Sequence, residues 1–133
     1  MSDFEQISTH SGFMKHNGGL LFKVISETES EFKTKINENH LNRAGITHGG
    51  YIASIIDAGI GTGVHRANKN NIFVTISLDI KFIGSTKIAD EIIGKVKIEK
   101  ITNSLVFASC KIESKNKIIA VGSGVWKRTN NSF

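Results

Sequence analysis

Residues Gly49–Arg66 read GGYIASIIDAGIGTGVHR, and this stretch decides the fold. Ile52, Ile55, Ile56, Gly59, Ile60, Gly63 and Val64 recur at intervals of three and four, the period of one helical face. The polar NKNN that follows ends the run. Gly59, Gly61 and Gly63 each cost a helix up to about 1 kcal/mol against alanine. Such a cost is expected where another backbone packs close, so residues 49–66 are predicted as one central, buried helix.

Outward from this helix the period changes to two. Upstream, Leu20–Ser26 and Glu31–Asn37 read as a hairpin with Glu27–Ser30 as its turn. Before it, Phe4, Ile7, Ser11 and Met14 space like a short helix over 3–15, broken by Gly18-Gly19. Downstream, Phe73–Ile83 places Val74, Ile76, Leu78, Ile80 and Phe82 on one face. Glu91–Ile101, Ser104–Glu113 and Lys117–Trp126 follow across short turns. Short connections between strands favour antiparallel pairing. The expectation is an α+β layer in which one antiparallel sheet wraps around the long central helix.

The chain has 133 residues, 39% hydrophobic and 22% charged, the balance of one globular domain spanning 1–133. This length leaves little room for a second catalytic domain. A single cysteine, Cys110, excludes an internal disulfide and a Cys-rich metal site, and its alternating context LVFASCKIE assigns it to the core. The opening MSDFEQISTH lacks the apolar stretch of a leader, and no apolar run reaches the roughly 18 residues of a membrane span. A cytoplasmic protein without membrane association is expected. The net charge of +5 accompanies 14 Lys, 3 Arg, 20 Ile, 11 Asn and no Pro, which reads as compositional bias. The lysines fall at alternating strand positions, a solvated face, without interleaved aromatics, so no nucleic-acid partner is expected. His10, His16 and His40 lack metal-ligand spacing. His65 lies where it meets the helix end, and Trp126 reads as a packing residue.

The chemistry concentrates in Asn42–Asp57, NRAGITHGGYIASIID. Asp57 sits among Ile55, Ile56, Ala58 and Ile60, where an unpartnered carboxylate is costly. His48-Gly49-Gly50 falls at the helix start, where the first amides lack partners, the dipole favours negative charge and glycine lets a ligand approach the backbone. The segment reads as an oxyanion site, or more simply as a glycine turn with a capping histidine. Eight residues separate Gly49 from Asp57, about 12 Å along a helix. One reacting group cannot touch both. Cooperation between them requires a second subunit, with two central helices antiparallel across a two-fold axis and two equivalent sites.

The pattern N-x-x-G-x-x-H-G-G, an acid eight residues after Gly49, and V-T-x-x-L-x-I-x-F at Val74–Phe82 resemble the hotdog-fold acyl-CoA thioesterases. The likeness is to the PaaI-like branch that includes thioesterase superfamily member 2, and it runs from about Phe13 to Trp126. It implies hydrolysis of an acyl-CoA thioester without metal or redox cofactor. By position, Asp57 is implied as general base or nucleophile and the Gly49 N–H as oxyanion donor. Asn42 and His48 match positions that orient the thioester or the water, and Thr75 matches a hydroxyl that holds the carboxylate or the water. Asp57 and Thr75 would face Asn42, His48 and Gly49 of a partner subunit, in a homodimer paired again into a tetramer. Gly50 is assigned to substrate binding, and Lys81, Lys87 and Arg66 to CoA phosphates, against the simpler reading of solvated side chains. The loop GSTKIADE carries Ser85 and Ala89 near the places where the family has proline and glycine. The alternative is a non-catalytic hotdog module that binds acyl-CoA or a related ligand. A hotdog dehydratase would need a proline-containing His motif that this sequence lacks.

Overall fold

A computed structural model describes residues 3–69 and 71–130. In chain order it contains β1 (Glu5–Ile7), α1 (Phe13–His16), β2 (Leu20–Val24), β3 (Glu29–Lys35), a 3-10 turn (Glu38–His40), α2 (Gly49–Ala67), β4 (Phe73–Phe82), β5 (Glu91–Ile101), β6 (Leu105–Ser114) and β7 (Lys117–Arg128). The seven strands form one sheet in the order β1-β2-β3-β5-β6-β7-β4, every pairing antiparallel. The predicted α+β layer is therefore present, and α2 exceeds the predicted helix by one residue at its C-terminal end. Residues 3–15 differ from the sequence reading. Glu5–Ile7 is an edge strand on β2, and only Phe13–His16 is helical. The Ser8–Gly12 stretch between them includes Ser8 and Gly12 at positive φ, which no continuous helix accommodates.

The central helix lies close to the sheet because glycines meet aromatic bulk. A Cβ on Gly59 of α2 or on Gly94 of β5 would overlap the ring of Phe32. Phe32 pairs with Gly94 across the β3–β5 ladder, so its fully buried ring occupies the space two missing side chains leave. Ile52, Ile55, Ile56, Ile60 and Val64 of α2 complete the core against Ile92, Val96, Val106, Cys110, Ile112 and Trp126 of the sheet.

β4 breaks its alternation. The β4–β7 register shifts between Thr75 and Ser77, a bulge. Directly opposed residues of an antiparallel pair share a face. Thr75 opposes Trp126, Leu78 opposes Gly124, Ile80 opposes Gly122 and Phe82 opposes Ala120. Thr75 thus shares the inner face with Leu78, Ile80 and Phe82, in place of the Val74 and Ile76 that simple alternation assigned there.

Cys110 is buried, as predicted. Burial pushes its thiol up to about 12, against the smaller opposing effect of a backbone hydrogen bond from Lys95. A thiol reagent should modify Cys110 at the unfolding rate and no faster. Modification of native protein within seconds would show an open core.

Two substitutions test the packing and the loop. Gly59→Ala should destabilise the protein by about 1–3 kcal/mol through overpacking, despite alanine's helix propensity. Ala89, in the loop where the sequence departs from the resembling family, holds φ 74. Ala89→Gly should therefore raise stability by about 1 kcal/mol. Urea midpoints of the two variants measure both signs.

Candidate functional site

The loop between β3 and α2 is fixed along its length before the helix starts. Asn37 caps the 3-10 turn by accepting from the Asn39 N–H at 2.8 Å, and its own N–H donates to His40 Nδ1 at 3.1 Å. With Nδ1 accepting, His40 Nε2 is the protonated nitrogen, and it donates to the Asn17 carbonyl at 2.8 Å. The buried His40 ring stacks on Tyr51 at 3.7 Å, and the Tyr51 hydroxyl bonds Thr34 at 3.1 Å. Burial pushes the Tyr51 phenol up, opposed by the Thr34 hydrogen bond, so it remains a neutral anchor. The His40 carbonyl then accepts the His48 N–H at 2.7 Å. Thr47 and Thr86 exchange hydrogen bonds through Oγ1 and backbone, tying this loop to the one after β4.

Asn42 organises the loop tip. Its Oδ1 accepts from the Ala44 N–H at 2.9 Å and the Ile46 N–H at 3.4 Å, and its carbonyl accepts from Gly45. Gly45 has φ 80, a conformation that favours glycine. The Asn42 Nδ2 group has no partner among the described residues and remains a donor.

His48 is the N-cap of α2, and its Nδ1 accepts the Gly50 N–H at 2.7 Å. The capping reading of this histidine is correct, and it has a consequence for the amides beside it. Gly50's N–H is taken by the imidazole, and those of Tyr51 and Ile52 by the His48 carbonyl. The Gly49 N–H alone of these has no partner among the described residues. The oxyanion reading thus fits Gly49, whereas Gly50 has a structural reason to be glycine. A Cβ there would lie 2.9 Å from His48 Nδ1.

Asp57 departs from the expectation of deep burial. It is half-buried, on the flank of α2 rather than in its core face. Thr75 Oγ1 donates to its Oδ1 at 2.6 Å, a short charge-assisted bond made possible by the β4 bulge. Oδ2 has no partner among the described residues. Asp57 and Thr75 line a groove of about 970 Å³, walled by the 6–12 segment, Met14, Lys15, one flank of α2, Ile72, Phe73 and Trp126. Within one chain, then, the structure joins Asp57 to Thr75 by a hydrogen bond, whereas Asn42 lies in the loop before α2, and His48 and Gly49 at the start of that helix.

The three cations assigned to phosphate do not converge. Arg66 pairs with Glu5 at 2.6 Å and lies 17 residues along α2 from Gly49, about 26 Å. Lys81 pairs with Asp79 at 3.2 Å on the exposed surface. Lys87 is exposed in the loop after β4, where its N–H donates to Asp90 Oδ2 at 3.0 Å. Sequence reasoning missed Asp90, whose signal was an acid directly after the loop turn. The Lys87 N–H first, and then the Lys115 ammonium at 3.0 Å, hold its carboxyl below the usual carboxylate range. Among the described residues no group of three or more metal-ligating side chains forms, and no helix is long and apolar enough to cross a membrane.

Residues 44–120 match the sequence model of the thioesterase superfamily. The chain is 28% identical over 124 residues to a Pseudomonas aeruginosa protein whose name assigns it to the esterases, covering 92% of each. It is 30% identical over 90 residues to acyl-coenzyme A thioesterase 13 of Mus musculus, covering 66% of this chain and 64% of the mouse protein. Among solved structures, zebra fish thioesterase superfamily member 2 superposes with TM-score 0.83 at 22% identity, over 92% of this chain and 90% of that one. A mutant of the phenylacetic acid degradation protein PaaI of Thermus thermophilus superposes with TM-score 0.78 at 16% identity, over 87% and 97%. These two likenesses bear on the fold.

A depressed carboxylate pKa contributes stability above the unfolded value, about 3.9 for Asp. That contribution is lost as pH falls through the folded value. Wild type should therefore exceed Asp90→Asn in urea midpoint at pH 7, and the gap should close as pH falls below about 4. A gap constant over that range would remove the carboxylate from the loop's stability.

Proposed function

The chain belongs to the thioesterase superfamily and is a thioester hydrolase, and on that premise we propose that it hydrolyses acyl-CoA thioesters at sites shared between two subunits. The observation that carries the proposal is the division of the site. A carboxylate with one oxygen held and one free lies about 12 Å along α2 from a helix-start N–H with no partner among the described residues. Two antiparallel copies of α2 would bring Asp57 and Thr75 of one subunit to Asn42, His48 and Gly49 of the other. The exposed strand β4 supports such pairing. It is an edge of the sheet, with Val74 and Ile76 42% and 54% exposed. Unpaired edges with apolar side chains are matched by a partner strand. Pairing of such dimers into a tetramer belongs to the same proposal.

In the reaction, Asp57 Oδ2 takes a proton from water as the water oxygen bonds to the acyl carbon. The carbonyl oxygen gains negative charge and accepts from the Gly49 N–H, worth about 3–4 kcal/mol of transition-state stabilisation. The C–S bond then breaks, and the CoA thiolate takes up a proton. Thr75 donates to Oδ1 and so keeps Oδ2 turned to the substrate. With Nδ1 engaged in the cap, His48 offers its Nε2–H towards the thioester, and Asn42 offers Nδ2. Direct attack by Asp57 on the acyl carbon uses the same free oxygen. A single turnover in isotopically labelled water separates the two routes by whether the label enters the acid directly.

Thiol release from a panel of acyl-CoAs tests the proposal. Asp57→Asn should lower kcat by about 100- to 10,000-fold with the dimer intact. Thr75→Val should lower it less, by removing the hydrogen bond that orients the carboxylate. Near-wild-type turnover by Asp57→Asn would overturn the role of this carboxylate. Stabilisation by acyl-CoA without thiol release would point to a binding module instead.

A further inference from the structure

The helix start at Gly49 is bare, and nothing within the chain requires it to be. Gly49 lies in α2 without a positive φ. Beyond its own helix and chain neighbours, a Cβ there would come nearest to Phe82, 3.4 Å from Cε1, 3.6 Å from Cζ and 3.8 Å from Cδ1, which are ordinary contact distances. Gly50 differs, because His48 Nδ1 already occupies the space beside it. The fold would therefore accept alanine at position 49, and a helix favours alanine over glycine. Phe82 does not serve the core either. It is 56% exposed and stands outside the buried cluster of helix and sheet. Its place is nonetheless fixed. Phe82 opposes Ala120 on β7, and the next two N–H groups, of Ile83 and Gly84, both donate to the Ile119 carbonyl, at 2.8 and 2.9 Å. The Thr47 N–H donates to the Thr86 carbonyl at 2.9 Å, which ties the loop before α2 to the loop after β4. Both sides of the Phe82–Gly49 contact thus belong to one hydrogen-bonded frame.

A ring held against a residue whose N–H has no partner has a chemical consequence. A hydrogen bond to a developing oxyanion strengthens as water is excluded, because the effective dielectric around it falls. Water beside the Gly49 N–H would compete for the donor and screen the charge. The Phe82 ring covers the side of Gly49 from which a side chain is missing, and at this distance it leaves no room for water there. We propose that Phe82 is a positioning residue for thioester hydrolysis, its ring excluding water beside Gly49 so that this N–H meets the thioester oxygen alone. The oxygen carries charge in the transition state and little in the ground state, so Phe82 acts on kcat more than on KM. This deepens the reading of Gly49 as the oxyanion donor and rests on it.

The test replaces Phe82 in three ways. Phe82→Ala admits water, Phe82→Gln keeps much of the bulk but draws water, and Phe82→Leu keeps an apolar filling. Thiol release from octanoyl-CoA and benzoyl-CoA should give a kcat lower by about tenfold in Phe82→Ala and Phe82→Gln, which is ~1.4 kcal/mol, with KM within about twofold of wild type. Phe82→Leu should stay near wild type. Phe82→Gln decides the matter if Phe82→Ala fails to fold. Isotope-edited infrared spectra of carbonyl-labelled benzoyl-CoA bound to Asp57→Asn provide a second measurement that needs no turnover. The thioester carbonyl stretch should lie below that of free benzoyl-CoA and return towards the free value when Phe82→Ala is added. Equal kcat in wild type and all three variants would overturn the proposal and leave the thioesterase reading standing. So would a loss shared equally by Phe82→Leu, a rise in KM alone, or a loss of kcat with the carbonyl stretch unmoved, because each marks a packing or ground-state contact. Absence of hydrolysis with the stretch lowered, and restored by Phe82→Ala, would overturn the hydrolytic reading and keep Phe82 as the shield of the Gly49 N–H. Absence of both would overturn both.

Discussion

Phe32 sets the distance between the central helix and the sheet. Its ring fills the space where Gly59 of α2 and Gly94 of β5 have no side chain, so the two layers approach more closely than any larger residue would permit. That approach fixes where the flank of α2 lies relative to β4 and β7. Asp57 can then meet Thr75 on β4, and Gly61 can pass over Trp126 on β7. The Asp57–Thr75 pair at mid-helix follows from this packing rather than from the local sequence around Asp57.

The loop before α2 depends on hydrogen bonds instead. Each residue from Asn37 to His48 that carries a functional assignment is held by a neighbour whose own position is fixed. His40 is central to this chain, because one nitrogen accepts, the other donates, the ring stacks and its carbonyl holds His48. Such a loop has its geometry set by its own hydrogen bonds before any ligand arrives. It also assigns each amide at the start of α2. The histidine cap takes one donor and the His48 carbonyl takes the next two, which leaves Gly49's N–H without a partner among the described residues.

Much of this was legible in sequence wherever a period ran uninterrupted. The helix appeared from its apolar spacing and its glycines. Strands β5, β6 and β7 appeared from alternation, because each has one face in the core and one in water. Where a local irregularity intervened, the sequence misled. The β4 bulge left no compositional mark, so alternation grouped Val74 and Ile76 with Leu78, Ile80 and Phe82, whereas Thr75 shares the face of those three. Thr75 came forward only through family resemblance. Asp57 was expected deep in the core because its sequence neighbours are apolar, but a helix has a flank as well as a face. The N-terminal segment was misread for a related reason. Four residues at helical spacing fit a strand followed by a single helical turn equally well.

The bulge also separates two kinds of change that β4 can undergo. A strand has two faces, so adding or removing one residue exchanges them for everything beyond that point. Substitutions along β4 alter packing one side chain at a time, and the Thr75 hydroxyl stays in place. A single-residue deletion at Ile76, which has no partner in the β4–β7 register, would leave Thr75 opposite Trp126 and Ser77 opposite Val125 in one regular ladder. The bulge thus tolerates the loss of one residue between Thr75 and Leu78, whereas a loss just beyond Leu78 would turn Ile80 and Phe82 to the other face.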